Sequence, residues 1–220
     1  HLEQLAILAH EGAIDIFLVG GSLLFTSHLQ NTVDFLKKHT AVPVILFPGG
    51  SNQIYSGADA ILLLSLISGR NPDFLIGRHV ESAPLLKQSG LEIISTGYML
   101  VDGGRGTTVS YISNTTPLPA HKPEIAAATA MAAEMLGMKC IYLEAGSGAL
   151  HSVPTELVQA VSSSVNIPII TGGGIKTPEK AAQNIAAGAS LIVVGTAAEK
   201  DTGLIASIGE AVHSTQIVNK

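Results

Sequence analysis

The sequence predicts an α/β fold of the TIM (β/α)8-barrel type. Apolar runs rich in β-branched residues alternate with helical stretches along the 220 residues, an order typical of βαβ units and a parallel sheet. Aromatic residues make up only 4% of the chain and Trp is absent, so the core consists of Ile, Leu, Val and Ala, as in strands buried on both faces. Three strands in the last third end in glycine-bearing segments. These features favour one barrel domain over residues 1–220.

In the first half of the chain, stretches with the apolar spacing of a helix alternate with apolar runs typical of strands, and Gly12, Pro43 and Gly90 stand between them. The pattern predicts helices over 2–11, 27–38 and 72–88, and strands over 14–20, 43–47, 60–67 and 91–101. The second half continues in the same way, with joins at Gly137 and Gly188. It predicts helices over 123–136, 154–164, 177–187 and 203–213, and strands over 139–144, 167–171 and 190–195.

Two irregularities modify the barrel. The sequence opens on a helix and contains seven predicted strands, so we expect the first barrel strand, with its loop, to be missing from this sequence. Only residues 48–59 separate strand 43–47 from strand 60–67, and Gly49-Gly50-Ser51-Asn52-Gln53 is a poor helix former. We therefore expect the third barrel helix to be replaced by a non-helical segment, which leaves a groove along the side of the barrel.

Composition excludes several classes of function. The formal net charge is −5 and no Lys/Arg cluster is present, which argues against a nucleic-acid partner. The apolar run near Ala60–Leu64 is far shorter than the roughly 20 residues of a membrane span, and no signal peptide is visible. A single cysteine, Cys140, fits a reducing cytoplasm. The positive mean hydropathy indicates an apolar surface for oligomer contacts or for an apolar ligand.

The glycine-bearing strand ends predict an anion site. They are Gly146-Ser147-Gly148, Gly172-Gly173-Gly174 and Gly195-Thr196, which we call the glycine cradle. Glycine lets backbone N–H groups approach a ligand, and a following helix N-terminus adds positive potential. The loops after the last two strands of a (β/α)8 barrel commonly hold phosphate. Tight turns without a ligand are the simpler alternative.

Glu144 lies at a strand end beside the glycine cradle. A carboxylate next to a bound phosphate would repel it unless the carboxylate binds a different part of the ligand, such as the hydroxyls of a polyol phosphate. From that position it can act as a general base on one of the hydroxyls. The alternative is a capping or solvated Glu. Tyr142 points to the same face as Glu144 by strand alternation, and its hydroxyl is either a ligand donor or a core partner.

Other candidates carry weaker signals. Ser22 follows Gly20-Gly21 at a strand end, where it is either a hydroxyl ligand for a hard cation or pyrophosphate, or a helix cap. The histidines lack zinc-site spacing. The long polar segment Asp102–Lys122 is typical of a lid or an interface, and the roles of Asp102 and Arg105 within it remain open.

Taken together, Gly20-Gly21-Ser22, Tyr142-Leu143-Glu144-Ala145-Gly146-Ser147-Gly148-Ala149, Gly172-Gly173-Gly174-Ile175 and Val194-Gly195-Thr196 resemble the geranylgeranylglyceryl phosphate synthase family. The resemblance covers essentially the whole chain, including the replaced helix. It implies a Mg2+-dependent prenyltransferase that joins the 3-hydroxyl of sn-glycerol 1-phosphate to a long polyprenyl diphosphate. It implies glycerol phosphate contacts from Tyr142, Leu143, Glu144, Ala145, Gly146, Ser147, Gly148, Gly173, Gly174, Gly195 and Thr196.

The same resemblance implies that Ser22 is a magnesium ligand and that a second ligand is an Asp in the loop after the missing first strand. It also implies that the protein forms dimers or hexamers. Its chemistry fits the residues, because Glu144 is placed to accept the proton of the attacking hydroxyl. Two alternatives remain: another phosphate-binding barrel enzyme such as a sugar-phosphate isomerase, which needs a second acid or base besides Glu144, and a lipid- or nucleotide-binding barrel without activity. Prenyl chain length is not fixed by any spacing.

Overall fold

Seven parallel strands form one sheet in the order in which they occur along the chain. The structure is a computed structural model that describes residues 1–24 and 28–215. The strands are β1 (Phe17–Gly21), β2 (Val44–Pro48), β3 (Ala60–Leu66), β4 (Glu92–Leu100), β5 (Cys140–Glu144), β6 (Ile169–Gly172) and β7 (Leu191–Val193). Each strand pairs in parallel with the next, and β1 and β7 are the edges. The predicted strands are confirmed within a few residues.

Nine α-helices accompany the sheet in the described residues. They are α1 (Leu2–His10), α2 (Leu29–His39), α3 (Arg78–Ser89), α4 (Thr108–Ser113), α5 (Pro123–Met135), α6 (Thr155–Ser162), α7 (Pro178–Ala186), α8 (Thr196–Lys200) and α9 (Gly203–Ser214). The predicted start of α2 at residue 27 lies outside the described residues. No helix of the described part of the chain is long and apolar enough to cross a membrane.

The sheet curls around an interior core, as a barrel sheet does. Tyr98 and Leu100 of β4 point inward and pack with Tyr142 of β5, whereas the alternating residues Met99 and Leu143 belong to the core under the helices. Side chains of both edge strands line one common cavity. The fold is therefore the predicted α/β barrel type, with seven strands in the described residues.

The segment between β2 and β3 contains no α-helix. Its one regular element is a single 3-10 turn, Ser51–Gln53. Side chains fix the segment to its surroundings: the Tyr55 hydroxyl donates to Asp34 of α2, and Asp59 accepts from the Val44 amide of β2 at 2.8 Å. The expected replacement of the third barrel helix is confirmed, and the segment is anchored at several points.

Three local features differ from the prediction. The segment 102–122, expected to be a loop, contains α4, which a capping box of Thr107 and Ser110 begins. The predicted helix 72–88 begins as a π-helical turn, Asp73–Gly77, before α3. The predicted strand 190–195 ends at Val193, and the short helix α8 follows from Thr196, because Gly195 breaks the strand and serves as its N-cap.

Candidate active site

The carboxyl ends of β5, β6 and β7 bring the glycine cradle together. The strands are sheet neighbours, so the segments that follow them meet at one edge. The Ser147 hydroxyl, after β5, lies 3.0 Å from the Thr196 hydroxyl at the start of α8. Two segments 49 residues apart in sequence therefore present adjacent hydroxyl groups. This arrangement suits an anion, since hydroxyls and backbone N–H groups both donate hydrogen bonds.

Two glycines of the cradle have different surroundings. Gly173 has a φ of +78°, and a Cβ there would overlap Glu144 Oε1 and lie 2.6 Å from the Gly146 nitrogen. A side chain at Gly173 would therefore collide with the site itself. A Cβ at Gly195 would meet no atom of the described residues within 4 Å. Gly195 thus borders open space of the kind that a ligand can fill.

Glu144 is a buried carboxyl at the end of β5, with 6% of its surface exposed. Its Oε1 accepts a hydrogen bond from the Gly146 N–H at 2.6 Å. Burial raises the pKa of Glu144 from 4.5 to about 7, and the Gly146 amide and the nearby Tyr142 hydroxyl oppose that rise. A group that changes protonation near neutral pH can accept or release a proton there. The alternative of a solvated Glu is wrong.

Tyr142 lies beneath Glu144 and is fully buried. Its ring stacks on Phe47 with centroids 5.0 Å apart and packs against Tyr98 at 5.4 Å. Burial and the neighbouring Glu144 carboxyl raise the pKa of the Tyr142 hydroxyl, so it stays protonated. That hydroxyl makes no hydrogen bond of good geometry within the described residues, although it lies close enough to Glu144 for the two groups to influence each other's pKa. A buried donor of this kind is available to a ligand.

The other predicted contact residues of β5 and its loop divide between two faces. Leu143 and Ala145 are buried in the core between the sheet and the helices, so only their backbone could reach a ligand at the cradle. Ser147 and Gly148 line the cavity, as do Gly174, Gly195 and Thr196. Gly148 also accepts a hydrogen bond from the Arg105 guanidinium through its carbonyl.

A cavity of about 1230 Å³ extends from this edge, between β1 and β7, to the starts of both strands and to α1 and α9. Its walls include the inward-facing residues of the barrel core, among them Leu62, Leu64, Leu66, Phe47 and Phe74. The lining is mainly apolar, while the glycine cradle and Glu144 supply polar groups at one part of it. An apolar wall beside a few polar groups is typical of a ligand site.

Ser22 is exposed and lines the same cavity after β1. It does not cap a helix, because α2 begins at Leu29 with His28 as its N-cap residue. In the described residues, no group of three or more His, Cys, Asp or Glu side chains could hold a metal ion. Ser22 therefore offers a single hydroxyl oxygen, which fits a hard cation that takes its other ligands from a substrate and water.

The structure adds residues that sequence reasoning left open or missed. Asp102 accepts from the Gly104 N–H at 2.9 Å and shapes its own loop, while Arg105 lines the cavity. Gln53 was not identified as a site residue. It is 3% exposed and hydrogen-bonded to the Gly21 peptide, 32 residues away. No sequence signal indicates such a contact between distant loops, apart from its place in the non-helical segment.

Comparisons with known proteins find one matching family model and several similar chains. A model of the PcrB family matches residues 2–213. The geranylgeranylglyceryl phosphate synthase of Chitinophaga pinensis is 52% identical over 219 residues, covering 100% of this chain and 87% of that protein. The protein of the same name from Korarchaeum cryptofilum is 42% identical over 207 residues, covering 94% and 85%.

Among solved structures, (S)-3-O-geranylgeranylglyceryl phosphate synthase from Thermoplasma acidophilum, in complex with its substrate sn-glycerol-1-phosphate, superposes with a TM-score of 0.89. The two chains are 32% identical, and the match covers 96% of this chain and 86% of that one. Orotidine 5'-phosphate decarboxylase from Pyrococcus horikoshii shares the fold alone, with a TM-score of 0.60 at 17% identity.

Proposed function

The chain belongs to the PcrB family, and from that premise we propose that it is a geranylgeranylglyceryl phosphate synthase. The reaction joins the 3-hydroxyl of sn-glycerol 1-phosphate to geranylgeranyl diphosphate, giving an ether-lipid precursor and diphosphate. The observation that carries this function is the buried Glu144 carboxyl beside the glycine cradle, at the polar part of a large apolar cavity. One site thereby offers places for a phosphate, a reacting hydroxyl and a hydrocarbon chain.

Glycerol phosphate binds with its phosphate in the glycine cradle. Ser147 and Thr196 donate from adjacent hydroxyls, and the open space beside Gly195 receives the phosphate oxygens. The glycerol hydroxyls then point toward Glu144, whose Oε1 is already fixed by the Gly146 amide. Separation of the carboxylate from the phosphate by the glycerol unit avoids direct repulsion between the two anionic groups.

The substitution step follows from this placement. The glycerol 3-oxygen forms a bond to the first carbon of the prenyl chain, and the bond from that carbon to the diphosphate oxygen breaks. Diphosphate leaves with the bonding electrons, and Glu144 accepts the hydroxyl proton. Since burial raises the pKa of Glu144 to about 7, a large fraction of the carboxyl is ionised at neutral pH and yet basic enough to accept the proton.

Mg2+ is proposed as the cofactor, with Ser22 as one oxygen ligand. The support is the exposed hydroxyl at the cavity edge, together with the preference of Mg2+ for water and substrate phosphates over all-protein cages. When bound, the ion would stabilise the charge that develops on the departing diphosphate. Ser22 would hold the diphosphate end of the substrate at the part of the cavity that follows β1.

The prenyl chain is proposed to occupy the apolar part of the cavity. Leu62, Leu64 and Leu66 of β3, with Phe47 and Phe74, provide a surface that excludes water from the hydrocarbon. The absence of an α-helix in the segment 49–59 leaves this side of the barrel without part of its helical wall. The hydrocarbon would lie on the β3 side of the cavity, and the glycerol phosphate on the side of β5, β6 and β7.

We also propose that the protein is a homo-oligomer, a dimer or a hexamer, in the cytoplasm. Helix α5 exposes Met131 and Met135, which lie four residues apart on one face, and the exposed Leu136 follows the helix. Met135 is 84% exposed and Leu136 76% exposed, so the end of α5 offers an apolar surface that suits burial against a second copy. The single cysteine, Cys140, is a free buried thiol, which is compatible with a reducing compartment.

Ligand selectivity tests the proposed function before any turnover is measured. We expect sn-glycerol 1-phosphate to raise the melting temperature more than sn-glycerol 3-phosphate or a sugar phosphate, because Glu144 and the cradle fix both ends of the polyol phosphate. A sugar-phosphate isomerase would show the reverse order. Stabilisation by all phosphate esters alike would indicate a phosphate site without the proposed substrate specificity.

A further inference from the structure

A buried glutamine connects the replaced-helix segment to the loop that carries Ser22. Gln53 ends the 3-10 turn and is 3% exposed. Its Nε2 donates to the Gly21 carbonyl at 2.8 Å, and its Oε1 accepts from the Gly21 N–H at 3.2 Å. The amide therefore satisfies both polar groups of one residue on a neighbouring strand. Loss of either bond leaves a partly buried backbone group of Gly21 without its partner.

The two loops also touch through their backbones, which leaves no room for other side chains. Gly20 has a φ of +148°, and a Cβ there would overlap the Phe47 carbonyl oxygen and meet Gln53 Oε1 at 3.0 Å. A Cβ at Gly49 would overlap the Gly21 oxygen and lie 2.7 Å from the Ser22 Cα. The position of Ser22 is thus fixed by direct contact with the segment 49–53.

We propose that Gln53 is a positioning residue for the diphosphate end of the site. It holds the Gly21 peptide so that the Ser22 hydroxyl faces the cavity and the prenyl diphosphate, a role that rests on the proposed function. An α-helix at 49–59, as in a regular barrel, would follow a different backbone path from the 3-10 turn that delivers Gln53 to β1. The replacement of the third helix therefore serves the polar end of the site as well as the groove for the hydrocarbon.

Gln53→Met tests this role, because Met has a similar length and volume but neither hydrogen-bonding group. We expect the KM for prenyl diphosphate and the Kd for inorganic pyrophosphate with Mg2+, measured by calorimetry, each to rise about tenfold or more. The Kd for glycerol phosphate should stay unchanged. Asn52→Ala is the matched control, since Asn52 is exposed on the same turn, and it should leave all three constants unchanged.

Gln53→Glu can restore the pair of hydrogen bonds to Gly21 in a pH-dependent way, which Gln53→Met cannot. The introduced carboxyl, when protonated, donates to the Gly21 oxygen and accepts from the Gly21 N–H as Gln53 does. When ionised it has no proton to donate, so pyrophosphate affinity relative to wild type should fall as pH rises through its pKa. Affinity that falls equally at all pH values would overturn the proposal.

A double-mutant cycle with Ser22→Ala separates this inference from the proposed function. If Gln53 acts through Ser22, Gln53→Met should add little to the loss that Ser22→Ala causes alone. Additive losses, or a lowered melting temperature with unchanged pyrophosphate affinity, would overturn the positioning role. If wild-type protein forms no prenyl ether but binds pyrophosphate in a Gln53-dependent way, the proposed function fails and the positioning role stands.

Discussion

Replacing Glu144 with Gln removes the carboxyl group that the structure buries beside the glycine cradle while keeping its shape. The introduced amide oxygen can still accept from the Gly146 N–H, which donates to Glu144 Oε1 at 2.6 Å in the structure. Glycerol phosphate should therefore bind with little change in KM. The amide cannot take up a proton, and general-base assistance contributes about 10²–10⁴-fold, so we expect kcat to fall by that factor.

The pH profile and the stability of this variant follow from the same burial. With the pKa of Glu144 at about 7, kcat of the wild type should fall about tenfold for each pH unit well below 7, because the protonated carboxyl is no longer a base. The variant should lose this acid limb. A rise in the pKa of Glu144 from 4.5 to about 7 on folding also changes the free energy of unfolding by about 3 kcal/mol between low and high pH.

The sign of the stability effect is set by the direction of the pKa shift. Since the folded protein binds the proton more tightly, the wild type should lose up to that amount of unfolding free energy as pH rises from about 4.5 to above 7. The Glu144→Gln variant carries no such penalty, because its amide does not ionise, so the variant should be the more stable protein at about pH 8. Denaturant unfolding at several pH values measures this difference.

Steady-state kinetics from about pH 5 to about pH 9 with both substrates provides the assay for the proton transfer. Glu199→Gln is the matched control, because Glu199 is a second carboxyl that lines the same cavity, away from the end of β5, and its replacement should keep the wild-type kcat. Near-full kcat in Glu144→Gln, or an acid limb retained in that variant, would refute the general-base role. The diphosphate or a water would then have to accept the proton.

Four further substitutions probe the rest of the site and the proposed oligomer interface. Gly195→Val should raise the glycerol phosphate KM and leave the melting temperature unchanged, because its Cβ enters open space. Gly173→Val should also lower the melting temperature, because its Cβ overlaps Glu144. Equal effects on the melting temperature in both variants would contradict this distinction. Ser22→Ala should weaken the apparent Mg2+ affinity with little change in stability, and an identical metal dependence would exclude it as a ligand. Met135→Glu should dissociate the oligomer in sedimentation, and an unchanged mass would place the interface elsewhere.

The sequence predicted the strands and the cradle because those signals are local. Glycine after a β-branched run marks a strand end, and a parallel sheet brings consecutive strand ends to one edge, so Ser147 and Thr196 were expected to meet. The short helix α4 was missed because its capping residues, Thr107 and Ser110, lie in a segment whose glycines and prolines suggested a loop.

Long-range contacts could not be predicted. The hydrogen bonds from Gln53 to Gly21 depend on how two loops pack, and nothing in either segment specifies the other. The burial that raises the pKa of Glu144 likewise depends on the neighbouring strands, and so does the overlap between Glu144 and a side chain added at Gly173. Sequence patterns identified which residues stand at the site, and the structure was needed for their environment.

The central claim is that this protein forms a prenyl ether of glycerol phosphate, and product analysis tests it most directly. The protein is incubated with Mg2+, sn-glycerol 1-phosphate and radiolabelled prenyl diphosphates of several lengths, and the lipid extract is resolved after dephosphorylation. We predict a labelled prenylglycerol ether, made fastest from geranylgeranyl diphosphate and absent with sn-glycerol 3-phosphate. Recovery of only unreacted or hydrolysed prenyl diphosphate, under conditions where glycerol phosphate binds, would contradict the claim.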